Sequence, residues 1–120
     1  DINEKRIYEF MLLLESHYLE ERDTAFYAEQ LGISAKRLNQ ILKEKLDKTG
    51  LQLIHDRLIL EAKRQIIHSE NTIKEISFNL RFKDRSYFSR FFKQHSGMTP
   101  QEFQVSVKRH VIQHENTLIS

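Results

Sequence analysis

The chain has 120 residues, of which 39% are hydrophobic and 30% charged, with one proline and three glycines; this composition is typical of a globular domain rich in helix formers. It contains no cysteine, which excludes disulfides, thiolate metal sites and cysteine nucleophiles and fits a cytoplasmic location. No apolar run approaches the ~20 residues needed to cross a bilayer, and no signal-peptide pattern opens the sequence.

Charge is unevenly distributed along the chain. Residues 1–31 carry 3 Lys/Arg and 8 Asp/Glu, whereas residues 32–120 carry 16 Lys/Arg and 9 Asp/Glu. The basic body favours a polyanionic partner. Because the sequence starts at Asp1 rather than Met, we expect it to be part of a longer chain, with the acidic segment near the junction.

Apolar residues recur at helical spacing through the first half and predict four helices. Asp23, Ser34 and Thr49 are suitable N-caps for three of them, and Gly32 can adopt the positive φ of a tight turn. The predicted helices cover about residues 3–18, 24–31, 35–46 and 50–69. The residues expected to face the core are Ile7, Phe10, Met11 and Leu14 in the first helix, Leu38, Ile41 and Leu42 in the third, and Leu53, Ile54, Leu58, Ala62 and Ile66 in the fourth.

The second half shows the same plan with clearer boundary signals. These signals are a capping box at Thr72–Glu75, an N-cap at Asp84, a helix stop at Gly97, and a second capping box at Thr99–Glu102 with Pro100 at the first helical position. They predict helices over about 73–80, 85–96 and 100–110, the last ending near His110. Residues 111–120 have weak periodicity and are expected to form a disordered tail.

The two halves are copies of one arrangement. The aligned pairs are Ala28 with Ser77, Leu31 with Leu80, Ile33 with Phe82, Leu38 with Phe88, Leu42 with Phe92, Thr49 with Thr99 and Leu53 with Phe103, at an offset of 49 residues at the front and 50 at the back. Each copy is a short helix, a tight turn and a longer helix, which is the layout of a helix-turn-helix whose second helix enters a DNA major groove. A hairpin that serves only packing explains one copy equally well, but two copies with basic second helices favour the helix-turn-helix.

Residues 24–104 resemble the DNA-binding domain of AraC/XylS-type transcription regulators. The resemblance is carried by residues 73–76, 82, 86–93 and 97–103, and residues 57–63 resemble the linker helix of that family. It implies an all-α fold of about seven helices, in which two helix-turn-helix subdomains are joined by a long linker helix. The expected segments are an acidic first helix (1–23), the first helix-turn-helix (24–50), the linker helix (51–69), the second helix-turn-helix with a closing helix (70–110) and the tail (111–120).

The sequence departs from the family pattern at four positions. The family usually has glycine where Asp47 and Arg81 stand, arginine where Gln104 stands, and alanine where Ser77 stands. Aspartate tolerates a left-handed backbone fairly well. Arg81 in that conformation would carry a strain on the order of 1 kcal/mol, which would affect the pose of the second recognition helix.

Candidate DNA contacts follow from the core positions of each recognition helix. In the first, Leu38, Ile41 and Leu42 face the core, which leaves a polar face whose side chains can read adenine or guanine edges or bind phosphate. The candidates on this face are Lys36, Arg37, Asn39 and Gln40, and the resemblance marks Lys36, Asn39 and Gln40. The alternative is that these are ordinary solvated helix residues.

In the second recognition helix, Phe88, Phe92 and Phe91 are expected in the core. Arg85, Ser86, Ser89 and Arg90 are then exposed, and the resemblance marks Arg85, Ser86, Tyr87 and Arg90 as DNA contacts. Arg90 is the best single candidate for a guanine or phosphate contact, with a surface salt bridge as its alternative role. The candidates for phosphate contacts are Lys43, Lys83 and Lys93, together with the helix N-termini at Thr24, Ser34, Thr72 and Asp84.

The length of the linker helix predicts the spacing between the two recognition helices. About 18 residues at ~1.5 Å each span roughly 27 Å, and helix thickness at each end brings this near the ~34 Å of one DNA turn. We therefore expect one domain to bind DNA as a monomer, over two adjacent groove segments of unequal sequence.

Nothing in the sequence predicts a catalytic site, a cofactor or a metal site. His110 and His114 could share a helix face but have no third ligand, and no glycine-rich phosphate loop is present. The predicted partner is double-stranded DNA. RNA polymerase and an effector or sensing domain on a preceding part of the chain are further candidates. The alternative function is a helical protein-interaction module that docks through the acidic first helix, whose apolar stripe would otherwise pack against the first helix-turn-helix.

Overall fold

Helices account for all regular structure in the computed structural model, which describes residues 1–119 and the side chains of residues 1–117. They are α1 (Ile2–His17), α2 (Thr24–Gln30), α3 (Ala35–Leu46), α4 (Gly50–His68), α5 (Ile73–Asn79), α6 (Arg85–Ser96) and α7 (Pro100–Ile119). The expectation of an all-α fold with seven helices is confirmed. The helices belong to two units, Asp1–Leu58 and the residues from Ile59 onward, so the boundary falls within α4.

The predicted caps are formed at the starts of the helices. Asp23, Ser34, Thr72 and Asp84 each accept a backbone N–H from the first turn of the helix that follows. Thr99 and Glu102 form the expected reciprocal pair at the start of α7, with distances of 3.0 and 3.1 Å. Local sequence therefore determines where these helices begin, because each cap satisfies an N–H that has no partner inside the helix.

Left-handed residues end the helices or form the turns between them. Gly32 (φ +71°) and Gly97 (φ +87°) have the expected positive φ, and so do Asp47 (φ +58°) and Arg81 (φ +65°) at the positions where the family usually has glycine. Asp47 and Gly97 are the C-caps of α3 and α6. The two copies therefore retain the same backbone turn even where glycine has been replaced.

The core of the first unit forms where α1, α2 and α3 meet the first half of α4. Phe10 and Tyr27 pack edge to face with ring centroids 5.4 Å apart, and the Tyr27 hydroxyl donates to the Glu21 carbonyl at 2.7 Å. Burial is the main reason that the pKa of Tyr27 rises to about 12. The other buried hydrophobic residues of this core are Leu14, Tyr18, Ala28, Leu38, Ile41, Leu42, Ile54 and Leu58.

Helix α1 packs on the first unit, but with a narrower stripe than expected. Phe10 and Leu14 are buried, whereas Met11 is 43% exposed, so its expected core position is wrong. Residues 10 and 14 stack one turn apart, and Met11 lies about 100° around the helix from Phe10. At the same end of α1, the Arg57 guanidinium makes two hydrogen bonds to the Glu15 carboxylate, at 2.8 and 2.9 Å. This contact, chiefly through its hydrogen bond, lowers the pKa of Glu15.

An aromatic cluster closes the helix-turn-helix of the second unit. The Phe82 ring, in the turn, lies 5.1 Å from both the Phe88 and the Phe91 ring centroids. Phe88 and Phe92 are fully buried, whereas Phe91 is only half-buried and also contacts the His95 ring at 4.5 Å. The expectation that Phe91 belongs to the core is therefore only partly met, because its ring forms the edge of the cluster. The other buried hydrophobic residues of this unit are Ile59, Ala62, Ile66, Ile73, Ile76 and Leu80.

The last helix continues beyond its expected end. It runs to Ile119, so the expected stop near His110 and the disordered tail are wrong for residues 111–119, and Ser120 lies outside the described residues. No glycine or proline follows Pro100 to interrupt the helix. Residues 111–117 are all exposed, so this part of the helix continues without burying its side chains.

Candidate nucleic-acid interface

Helix α3, the second helix of the first helix-turn-helix, separates an apolar face from a polar one. Leu38, Ile41 and Leu42 are buried, with at most 1% of each side chain exposed. Three of the predicted contacts, Lys36, Arg37 and Gln40, are exposed. Since the buried stripe fixes the rotation of the helix, these three side chains are presented to solvent together.

The fourth predicted contact on α3 is placed differently. Asn39 is half-buried, and its Oδ1 accepts a hydrogen bond from the Gly50 N–H at 2.9 Å. Gly50 is the first residue of α4, so the Asn39 carboxamide oxygen bonds the protein backbone. Asn39 still borders the shallow depression on this face that is lined by Lys36, Asn39, Gln40, Lys43, Glu44 and Thr49.

Helix α6 presents the corresponding polar face of the second unit. The predicted contacts Arg85, Ser86, Tyr87 and Arg90 are all exposed, and Ser89 is half-buried. The Arg90 guanidinium carbon lies 5.9 Å from the Tyr87 ring centroid. Within residues 1–117, no carboxylate lies within ion-pair distance of Arg90, so the alternative of a surface salt bridge is not formed.

A contact with Phe82 positions the aromatic ring that supports Arg90. The Tyr87 ring is 51% exposed and lies 6.2 Å from the Phe82 ring. Phe82 in turn packs on the buried Phe88. The aromatic chain from the core therefore ends at the surface beneath a cation, which limits the range of guanidinium positions without neutralising the charge.

The three lysines expected to contact phosphates are all exposed. Lys43 lies near the C-cap of its own helix, with Nζ 3.9 Å from the Asp47 carboxylate and 3.4 Å from the Asp47 carbonyl oxygen. Lys83 and Lys93 form no ion pair within the described side chains. An anion at the protein surface can reach all three lysines, although Lys43 lies beside the Asp47 carboxylate.

The expected helix N-termini are capped by their own side chains. Asp84 Oδ1 accepts from the Tyr87 N–H at 2.8 Å, and Ser34 Oγ accepts from the Arg37 N–H at 3.0 Å. The Asp84 carboxylate is thus turned towards its own helix rather than outward. Each cap satisfies one of the first-turn amides and leaves others for an external acceptor.

The second unit also contains a polar cleft that the sequence patterns did not predict. It has a volume of about 460 Å³ and contains two exposed cations, Lys74 and Arg85, which form no ion pair within the described part of the chain. The other lining residues are Glu70, Asn71, Thr72, Ile73, Gln101 and Gln104. Lys74 stands two positions after the Thr72 cap, and this position could have identified it as a first-turn cation beside the recognition helix.

No helix among residues 1–119 combines the length and the apolar character needed to cross a membrane.

The sequence of this chain is similar to a protein family and to curated transcription activators. A family model described as a helix-turn-helix domain matches residues 27–106. The HTH-type transcriptional activator RhaS of Salmonella arizonae is 26% identical over 100 residues, which cover 83% of this chain and 36% of the relative. RhaS of Salmonella newport matches to the same extent. The chain thus spans about a third of the length of these curated relatives.

Two solved structures have a similar fold. A transcriptional regulator with an AraC-type DNA-binding domain from Chromobacterium violaceum superposes with a TM-score of 0.77 at 20% identity, covering 87% of this chain and 93% of that one. The DNA-binding domain of AdpA, solved in complex with a target DNA, superposes with a TM-score of 0.75 at 16% identity, covering 86% and 93%. At these identities the similarity concerns the fold.

Proposed function

This chain belongs to the AraC-type helix-turn-helix family, and we propose that it binds double-stranded DNA sequence-specifically as part of a bacterial transcription regulator. One observation carries the proposal. In each unit the second helix of the helix-turn-helix buries its apolar face and presents a polar, cation-bearing face to solvent. Helices that read a major groove have this arrangement. Binding rather than catalysis is the role that this surface supports.

The first unit would contact DNA through α3. Gln40 has the donor and acceptor pair that adenine requires, and Lys36 and Arg37 can bind guanine or phosphate. All three are exposed. Lys43 would contribute positive charge towards the phosphates.

The second unit would contact DNA through α6. Arg90 is the primary base contact, because its guanidinium rests near an aromatic ring and keeps its hydrogen-bonding edge open. Arg85, Ser86 and Tyr87 would surround it. Lys83 and Lys93, together with Lys74 in the polar cleft, would neutralise backbone phosphates.

We further propose that one chain covers two adjacent groove segments as a monomer. Support comes from the internal repeat, since one chain carries two helix-turn-helix units with chemically different readers. Because the matched segment covers only 36% of the curated relatives, an effector or sensing domain elsewhere in the full chain is part of the proposal. RNA polymerase is proposed as a second partner, and a chromosomal target implies the cytoplasm as the location.

Selection of bound duplexes from a random library tests the proposed function. We expect two unequal preferred segments, and binding that weakens with salt by about −0.9 in the log–log slope for each neutralised phosphate. A protein-interaction module would instead recover no preferred sequence and show no such slope, and that outcome would contradict DNA binding.

A further inference from the structure

Three residues from three helices meet at the start of α4. Gly50, its first residue, is buried and donates its N–H to Asn39 Oδ1 on α3 at 2.9 Å. A Cβ at Gly50 would lie 2.7 Å from Thr24 Oγ1 and 2.8 Å from Thr24 Cγ2. Thr24, the first residue of α2, is itself buried. The absence of a side chain at position 50 is what allows α4 to begin against α2 and α3.

The Gly50 N–H needs an acceptor from outside its own helix. The first amides of an α-helix have no intrahelical partner, and a buried N–H left unpaired is destabilising. Thr49 satisfies two later amides, since its Oγ1 accepts from Gln52 N–H at 3.2 Å and its carbonyl from Leu53 N–H at 3.1 Å. The Gly50 amide is bonded to Asn39.

The second unit has the same helix start without this requirement. By the alignment of the two copies, Ile73, Ser89 and Pro100 stand at the positions of Thr24, Asn39 and Gly50. Pro100 is fully buried and has no N–H. No acceptor is needed there, and the shorter Ser89 side chain occupies the position. The second copy therefore has serine in place of Asn39 and also proline in place of Gly50.

We propose that Asn39 is a positioning residue, which fixes α3 against the first turn of α4, and that adenine reading by α3 belongs to Gln40. The inference rests on the proposed DNA binding by α3. A bidentate contact with adenine uses both the oxygen and the nitrogen of a carboxamide. The Asn39 oxygen is engaged by Gly50, whereas the neighbouring Gln40 carboxamide is exposed.

The variant Asn39→Asp separates the two roles. A carboxylate still accepts the Gly50 N–H, so a positioning residue retains the wild-type base preference in duplex selection, with affinity lowered on all sequences by the added negative charge. A base-reading residue would instead shift its preference from adenine towards cytosine, whose N4 amine donates to carboxylates. That shift would overturn the inference. Gln40→Glu is the matched control and should show this shift from adenine towards cytosine.

The wild-type protein in the same selection keeps the two proposals apart. If the wild type selects no sequence, the proposed function fails. If it selects a sequence and Asn39→Asp changes the preferred base, only the positioning role fails.

A thermodynamic cycle tests the structural half of the inference. We expect Asn39→Ala to lower the folding equilibrium constant by about tenfold or more. In a Thr24→Ala/Gly50→Pro background there is no N–H at position 50, and the ring Cδ would take the place of the hydrogen that points at Asn39 Oδ1. The same change should therefore cause no loss of stability there, and can even raise stability by relieving this contact. Equal losses in both backgrounds would overturn the proposal.

Amide hydrogen exchange gives a second measurement that does not depend on the proline background. The Gly50 amide should be protected in the wild type and in Asn39→Asp, and should lose protection relative to its neighbours in Asn39→Ala. Unchanged protection in Asn39→Ala would contradict the role assigned to the Asn39 oxygen.

Discussion

Arg90 shows how a single side chain can be held in place and remain available. Its guanidinium is supported by the Tyr87 ring, and no acid within residues 1–117 pairs with it. An ion pair would have to be broken before a base or phosphate could be bound, whereas an aromatic neighbour leaves the planar hydrogen-bonding edge open. This difference makes Arg90 the side chain of α6 whose loss should affect DNA binding most.

We predict that Arg90→Ala weakens binding to the selected duplex by about 1–3 kcal/mol, the usual effect of losing a good base contact. Binding to a random duplex should weaken less. Titrations of both duplexes with wild type and variant would measure the difference. Arg109→Ala, which removes the same charge from an exposed position on α7, is the matched control. Equal losses on both duplexes would reassign Arg90 to a phosphate.

The backbone conformation of Arg81 should have a measurable effect on stability. Its φ of +65° is in the left-handed region, which disfavours side chains with a Cβ. We predict that Arg81→Gly stabilises the second unit by up to roughly 1 kcal/mol. Chemical denaturation would measure it. Asp47→Gly should gain less stability, because aspartate tolerates this conformation better. A larger gain in stability at Asp47 than at Arg81 would contradict the explanation.

At the scale of helices, α5 and α7 begin with capping boxes in which a titratable glutamate accepts the threonine N–H. Glu75 and Glu102 each accept a backbone N–H from the capping threonine, at 2.9 and 3.0 Å. These backbone hydrogen bonds are the main reason that the pKa of each carboxyl is lowered. A folded pKa below the unfolded value stabilises the protein above the unfolded pKa, and this contribution is lost as pH falls through the folded pKa.

The variant Glu102→Gln should therefore lose less stability in acid than the wild type does. Glutamine preserves the capping box but does not titrate, so the difference in Tm between wild type and variant should narrow as pH falls below the ordinary range of glutamate. Thermal unfolding across that range measures it. Glu115→Gln, on the same helix but outside any cap, is the control. A difference in Tm that widens in acid would contradict the sign.

At the scale of the whole molecule, the repeat gives one chain two proposed DNA-reading helices of different chemistry. Gln40, Lys36 and Arg37 on α3 combine an amide with two cations, whereas α6 offers Arg85 and Arg90 with a serine and an aromatic ring. Two unlike readers on one chain favour a direct arrangement of unequal half-sites. A symmetric dimer would favour a palindrome.

We predict that one chain binds one selected duplex, with the half-sites about one helical turn apart, near 10.5 base pairs. Insertion of about 5 base pairs between them rotates one half-site to the opposite face of the DNA, and should reduce affinity to that of a single unit. Insertion of about 10 base pairs places both on one face again but exceeds the reach of one linker helix. Titration calorimetry would measure stoichiometry and affinity, and two chains per duplex would contradict monomeric binding.

Local interactions explain why much of the fold could be predicted from the sequence alone. Caps such as Asp23, Ser34 and Thr72, the positive φ of Gly32 and Gly97, and the buried faces of α3 and α6 each depend on residues within one or two turns. The internal repeat is equally visible in the sequence, because both copies need the same small, apolar and cap positions. The family follows from the same residues.

Tertiary structure decided the features that depend on distant neighbours. Met11 is exposed because α1 is buried along the line of Phe10 and Leu14. On α3, helical periodicity places Asn39 beside the other candidate DNA contacts, yet its oxygen bonds an amide eleven residues away, at Gly50. Periodicity shows which direction a side chain leaves its helix. Only the packed structure shows which backbone group of another helix lies within hydrogen-bond distance of that side chain.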